Sequence, residues 1–150
     1  AEEVQPAIDK AFAEGDEVIC ETIMKGIEIT CGVYKTKNKA VAFPITEVVT
    51  SNEFFDYDAK YNGQVDEITP ARIPDHVRDA VQALTLKIYD ILGCKGIIRV
   101  DYILTDNWTI NLLEVNTTPG MTATSFIPQQ VRAAGLDIKN VLSDIIENQL

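Results

Sequence analysis

Four residues in the second half of the chain have types and spacings that could do chemistry: Arg99, Asp101, Glu114 and Asn116. Each pair is two positions apart in an apolar run, and residues i and i+2 of a strand point to the same face. Pro119-Gly120 follows directly and predicts a turn. A strand end that shows oxygen ligands beside a glycine-containing loop is a seat for a hard cation and an anion. Two carboxylates side by side in a mostly apolar sheet repel each other and resist burial unless a positive group sits between them. One candidate is Arg99, which would make a structural ion pair. The other is a divalent metal such as Mg²⁺, for which two carboxylates, an amide oxygen and room for phosphate and water form a suitable set. The four residues alone leave both readings open.

Whether they share one surface depends on the elements that carry them. Ile97 to Leu104 and Trp108 to Val115 read as two strands joined by a tight turn at Asp106-Asn107. A two-residue loop pairs position 105 with 108, and so 99 with 114 and 97 with 116. An even loop puts all four residues on one surface, and an odd one splits them. Both strands are apolar on both faces, which predicts a central place in a sheet covered on each side.

The rest of the chain supplies the frame. Val4, Ile8, Ala11 and Phe12 recur at helical spacing, with Gly15 as a stop, and predict a helix over residues 1–14. Val18 to Met24 reads as a strand and Ile27 to Tyr34 as a second. In the second, Ile27, Ile29, Cys31 and Val33 face one way and Glu28, Thr30 and Gly32 the other. Ala40 to Val49 reads as a third strand in which Pro44 predicts an edge or a bulge. Residues 50–73 show neither period but carry Phe54, Phe55, Tyr57 and Tyr61, which predicts an ordered loop able to cover a site. A helix starts at Pro74, buries Val77, Val81, Leu84, Ile88 and Ile91, and ends at Gly93. Pro128 to Ala134 and Asp137 to Leu150 read as closing helices, the last capped by Asp137. This order predicts an α+β fold with a mainly antiparallel sheet flanked by helices.

The chain has 150 residues, enough for one domain, and a composition of 46% hydrophobic and 24% charged residues reads as globular. A net charge of −10 argues against a nucleic-acid groove but not against a nucleotide, whose charge a metal can offset. No apolar run reaches the length of a membrane span. Cys20, Cys31 and Cys94 are odd in number and lack C-x-x-C spacing, so they are expected as buried, reduced thiols of a cytoplasmic protein.

Longer motifs then point to a family. G-C-K-G-I-I-R-V-D (Gly93 to Asp101), L-L-E-V-N-T-T-P-G-M-T (Leu112 to Thr122), S-F-I-P (Ser125 to Pro128), F-D-Y-D-A-K-Y (Phe55 to Tyr61) and E-T-I-M-K-G-I-E (Glu21 to Glu28) resemble the ATP-grasp carboxylate–amine ligases, within them the D-alanine–D-alanine ligases. The resemblance implies a C-terminal ATP-grasp domain and an acylphosphate route from ATP and two D-alanines to D-alanyl-D-alanine for peptidoglycan. It implies Asp101, Glu114 and Asn116 as ligands of two Mg²⁺ ions, with Mn²⁺ as a substitute, and Arg99 with the Gly120 N–H as oxyanion donors. It implies Ser125 and the Phe126 N–H as the seat of the second alanine's carboxylate. Glu21 and Met24 would meet adenine, Glu28 the ribose, Lys60 the phosphates, and Tyr61 the hydrogen-bond network of a lid. Thr22 and Ile23 stand where relatives often have Lys and an aromatic, which leaves adenine to backbone contacts. The family's N-terminal substrate domain and glycine-rich phosphate loop do not occur in the 150 residues. This chain alone is therefore expected to fold without ligating, its partner being the N-terminal part of the same ligase; a homodimer is left open. Two rivals stand beside this reading: a non-catalytic metal- or nucleotide-binding module, and an ATP-grasp ligase for another amino or hydroxy acid.

Overall fold

The computed structural model describes residues 3–50 and 65–148. Strand β1 (Ile27–Lys35) runs through the middle of an antiparallel sheet. One of its edges pairs with β5 (Ile97–Thr105), and β6 (Thr109–Asn116) pairs outside β5. The other edge carries β2 (Ala40–Ala42) and then β3 (Thr46–Thr50), with β4 (Val65–Ile68) outside β3. Four α-helices accompany the sheet among the described residues: α1 (Val4–Phe12), α2 (Asp75–Ile91), α3 (Phe126–Ala133) and α4 (Ile138–Glu147). The α+β, mainly antiparallel expectation holds. None of these helices is long and apolar enough to cross a membrane.

The alternation of β1 sorts the two faces of the sheet. Ile29, Cys31 and Val33 pack with Ile98, Val100, Tyr102 and Leu104 of β5 against Val77, Val81 and Tyr89 of α2. On the opposite face Tyr34, Phe43 and Ile97 pack against Ile127 and Val131 of α3 and Val141 of α4. That second cluster covers one end of the sheet only. Farther along the same face lie Thr30, Arg99, Asp101, Glu114 and Asn116.

α3 lies close to β1 because residue 32 is glycine. A Cβ there would fall 2.4 Å from Ile127 Cδ1 and 2.7 Å from Gln130 Oε1. The Gln130 amide is fully buried; its Oε1 accepts from the Gly32 N–H (2.9 Å), and its Nε2 donates to the Thr30 carbonyl (3.0 Å) and Thr46 Oγ1 (3.1 Å).

Several sequence expectations need correction. Val18 to Met24 forms no strand: both edges of β1 are already paired, and Gly26 passes so near β5 that a Cβ would sit 2.2 Å from the Leu104 carbonyl oxygen. The predicted third strand is broken at Phe43-Pro44-Ile45 into β2 and β3. Val33 pairs with Ala42 and Thr30 with Thr46, so one extra residue bulges there, as Pro44 predicted. β4 lies within the stretch read as loop. Pro74 is the cap of α2 and not its first residue, and the buried stripe of that helix runs through Thr85 and Tyr89, leaving Ile91 71% exposed. α3 begins two residues earlier than predicted, at Phe126. Asp137 caps α4 as expected, accepting from the Lys139 N–H at 2.8 Å. The three cysteines are free thiols, but Cys20 is exposed and Cys94 half-buried; only Cys31 is buried, and burial pushes its pKa up to about 12.

One ion pair has no local signal in the sequence. Arg72 grips Glu47 of β3 through Nε (2.9 Å) and Nη2 (2.7 Å), and its backbone N–H adds a third bond (3.1 Å). The Arg72 hydrogen bonds outweigh burial and hold the Glu47 carboxyl below its ordinary value of 4.5. A lowered folded-state pKa means stability that is present above about pH 4.5 and lost as the pH falls through the lower value. Arg72→Met removes that contribution. The stability gap between native chain and variant is therefore expected to be widest near neutral pH and to close with acidification. Urea unfolding from pH 7 to 3 checks this; a gap independent of pH would refute it.

Candidate functional site

The hairpin of β5 and β6 builds the site by a route the sequence did not predict. Its loop has three residues, Asp106–Trp108, with Asn107 and Trp108 at φ 57° and 60°. Thr105 pairs with Thr109, and an odd loop by itself would set 99 opposite 115 and split the four residues. A bulge restores the parity. Tyr102 pairs with Leu112, but Asp101 pairs with Glu114, so Leu113 is an added residue and Arg99 pairs with Asn116. Residues directly opposite in an antiparallel ladder share a face. Arg99, Asp101, Glu114 and Asn116 thus lie on one surface through two irregularities that cancel.

β6 corrects a second expectation. It is the outer strand among the described residues, and Leu112 and Leu113 are 50% and 48% exposed, whereas β5, between β1 and β6, is interior and buried as expected.

The four side chains form one connected group. Arg99 donates from Nε to Asp101 Oδ1 (2.9 Å) and from Nη2 to Asp101 Oδ2 (2.8 Å). The same Nη2 lies 3.7 Å from Glu114 Oε1. Asn116 Nδ2 donates to Asp101 Oδ2 (3.1 Å) and to Glu114 Oε1 (2.8 Å). Asp101 is 8% exposed and also accepts from Thr30 Oγ1 at 2.6 Å. Burial would lower the Arg99 pKa, but the hydrogen bonds to Asp101 and the charges of Asp101, Glu114 and Glu28 reverse that and raise it above its usual value. Arg99 is therefore a fixed cation.

Phe126 connects this group to the loop that follows β6. Its ring lies under the Arg99 guanidinium, 5.2 Å from centroid to Cζ. Ser125 precedes it as the cap residue of α3, accepts from the Thr122 N–H at 3.1 Å and meets Thr122 Oγ1 at 2.7 Å. Gly120 stands against the same serine: a Cβ on it would be 2.9 Å from Ser125 Oγ. The first N–H groups of α3 have no side-chain cap and suit an anion.

The candidate residues thus divide. Arg99, Asp101, Glu114, Asn116 and Phe126 are in contact, with Gly120 and Ser125 in the adjoining loop. Glu28 is half-buried on the same face of β1. Glu21 is exposed and Met24 half-buried on the irregular segment before β1. Lys60 and Tyr61 lie outside the described residues. Thr30 and Gln130 are not legible in the sequence as site residues, because a threonine in a strand and a glutamine in an apolar helix give no signal of their own.

The donor set decides what the group could hold. Among the described residues, no cluster of three or more His, Cys, Asp or Glu could hold a metal. Asp101 and Glu114 instead offer carboxylate oxygens, and Asn116, whose Nδ2 is turned to both of them, offers its Oδ1 on rotation of the amide. Such a set fits an ion such as Mg²⁺ that takes one or two carboxylates and completes its shell with water and phosphate.

The family model described as D-ala D-ala ligase C-terminus matches residues 1–147. The chain belongs to that family. A D-alanine–D-alanine ligase of Bacteroides fragilis is 74% identical over 148 residues, which is 99% of this chain and 46% of that protein. One from Porphyromonas gingivalis W83 is 58% identical over 150 residues, again 46% of its length. The chain spans about half the length of the curated relatives it matches. Among solved structures, the VanG D-Ala:D-Ser ligase of Enterococcus faecalis superposes with a TM-score of 0.83 at 33% identity, over 100% of this chain and 44% of that one. A D-alanine–D-alanine ligase of Bacillus anthracis complexed with ATP gives 0.77 at 34% identity, over 99% and 47%. The ligase family and its C-terminal part are therefore those expected from the motifs.

Proposed function

We propose that this chain supplies the C-terminal ATP-grasp part of a cytoplasmic ligase that joins two D-alanines at the expense of ATP, for peptidoglycan synthesis. One observation carries the reading: Arg99, Asp101, Glu114 and Asn116, all within the family's motifs, share one surface with Phe126 stacked on Arg99. Asp101, Glu114 and Asn116 would hold Mg²⁺, which supplies charge neutralisation for the transferring phosphoryl group. The carboxylate of the first D-alanine attacks the γ-phosphate to give an acylphosphate and ADP. The amine of the second attacks that acylphosphate, and phosphate leaves. Arg99 and the Gly120 N–H stabilise the oxyanion of the tetrahedral intermediate. Ser125 and the Phe126 N–H hold the second substrate's carboxylate and so aim its amine. Glu28 accepts from the ribose hydroxyls, Glu21 and Met24 border the adenine, and by the family motif Lys60 would meet the phosphates and Tyr61 the hydrogen-bond network beside them.

The test is a chimera in which residues 1–150 replace the matching segment of the B. fragilis ligase. D-alanine-dependent ADP release is expected, with D-alanyl-D-alanine as product. Release that depends on D-serine or D-lactate instead would move the assignment to a different second substrate. A folded chimera that binds ATP but releases no ADP with any of the three would favour a non-catalytic module.

A further inference from the structure

We propose that Thr30 is a positioning residue: its hydroxyl fixes the Asp101 carboxylate, and with it the Arg99 fork, so that Oδ2 is the oxygen offered to a divalent cation. The cation clause rests on the reading of Asp101 as a metal ligand given above.

The two oxygens of Asp101 have different surroundings. Oδ1 accepts from Thr30 Oγ1 (2.6 Å) and Arg99 Nε (2.9 Å), while Oδ2 accepts from Arg99 Nη2 (2.8 Å) and Asn116 Nδ2 (3.1 Å). The donors on Oδ1 come from β1 and β5, inside the sheet. Oδ2 faces the β6 side, where Glu114 also lies, and turning the Asn116 amide to present its Oδ1 frees an acceptor position on it. Thr30 stands directly opposite Asp101 in the β1–β5 ladder and is 2% exposed. Its side chain is β-branched and stiff at χ1. Its own backbone is pinned, because the Thr30 carbonyl accepts from the buried Gln130 amide. A hydroxyl has one hydrogen to donate, and here it goes to Asp101. The carboxylate therefore cannot turn about its own axis without losing a short, buried bond. Hydrogen bonds of this kind orient ligating carboxylates, and their loss typically costs about 10–100-fold in metal affinity.

Thr30→Val keeps the volume and removes the donor, whereas Thr30→Ser keeps the donor. Mn²⁺ alone, titrated into the 150-residue chain and followed by electron paramagnetic resonance, reads the carboxylate. The ¹⁵N-resolved Nε–H signal of Arg99 reads the fork without any metal. T30V is expected to bind Mn²⁺ about 10–100-fold more weakly and to displace or broaden the Arg99 signal, and T30S to restore both. If T30V shows unchanged Mn²⁺ binding and an unchanged Arg99 signal, with or without a lower thermal midpoint, Thr30 is merely structural and the proposal is overturned. If the unsubstituted chain binds no Mn²⁺ while T30V still displaces the Arg99 signal, the metal reading fails and the positioning of the Asp101–Arg99 pair stands. Thr30→Ala, which adds no atoms, gives the same comparison should the valine variant not fold.

Discussion

Arg99→Met in the chimeric ligase is expected to lower kcat by about 10²–10³, equivalent to roughly 3–4 kcal/mol of transition-state stabilisation. The argument is geometric before it is energetic. Arg99 is held on both Asp101 oxygens and stacked on Phe126, so in the proposed reaction its charge would need no rearrangement as an oxyanion developed beside it. Preorganisation of that kind makes a donor worth more in the transition state than in the ground state. The KM for ATP is accordingly expected to move much less than kcat. Asp101 keeps its bonds from Thr30 and Asn116 in the variant, which limits the structural damage and leaves a folded protein to assay. Arg99→Lys separates charge from fork geometry: a lysine retains the charge but cannot bridge both Asp101 oxygens and stack on a ring at once. An intermediate kcat is expected for it. A methionine variant that stays within threefold of the native kcat removes Arg99 from the chemistry.

How much of this was legible in the sequence depends on whether the deciding interaction was local. The i, i+2 spacing of Arg99 with Asp101 and of Glu114 with Asn116 is a property of single strands, and it survives in the structure. Their meeting is a property of the hairpin, and here the turn departs from what its residues predict. Asp106-Asn107 predicts a two-residue loop; the chain uses three, and Trp108 takes a left-handed conformation that its residue type does not announce. The compensating bulge at Leu113 carries no glycine or proline to signal it. Likewise Val18 to Met24 has strand composition, but a strand needs a free edge, and the edges of β1 are taken by β2 and β3 on one side and by β5, distant in sequence, on the other. Leu112 and Leu113 are apolar, which predicts burial, but strand order places them at the rim. Pro44 was informative for the opposite reason. A missing N–H is a local fact that no tertiary context can reverse.

That break at Pro44 also explains the largest stability effect expected in the chain, Gln130→Leu. With residues 43–45 bulged out, β1 loses regular ladder partners between its pairings with β2 and β3. The Gln130 side chain fills the gap: it accepts from the Gly32 N–H and donates to the Thr30 carbonyl, as a neighbouring strand would. Leucine has nearly the same shape and neither function. It would leave a buried N–H and a buried carbonyl short of partners, at about 1–3 kcal/mol each. Thr46 loses less, because its hydroxyl also meets Thr69 Oγ1 at 2.6 Å. A total near 2–6 kcal/mol is a large part of the roughly 5–15 kcal/mol that holds an ordinary domain folded. Urea unfolding should show a much lower midpoint for Q130L, and Thr46→Val a smaller loss. A change within about 0.5 kcal/mol, the range of an ordinary surface substitution, would mean that β1 is held elsewhere. The effect should also reach the site. Ile127 and Gln130 seat α3 against Gly32, and the same helix begins with Phe126 under the Arg99 guanidinium. At denaturant concentrations where Q130L is still folded, the Arg99 Nε–H signal is therefore expected to broaden before the bulk of the sheet unfolds.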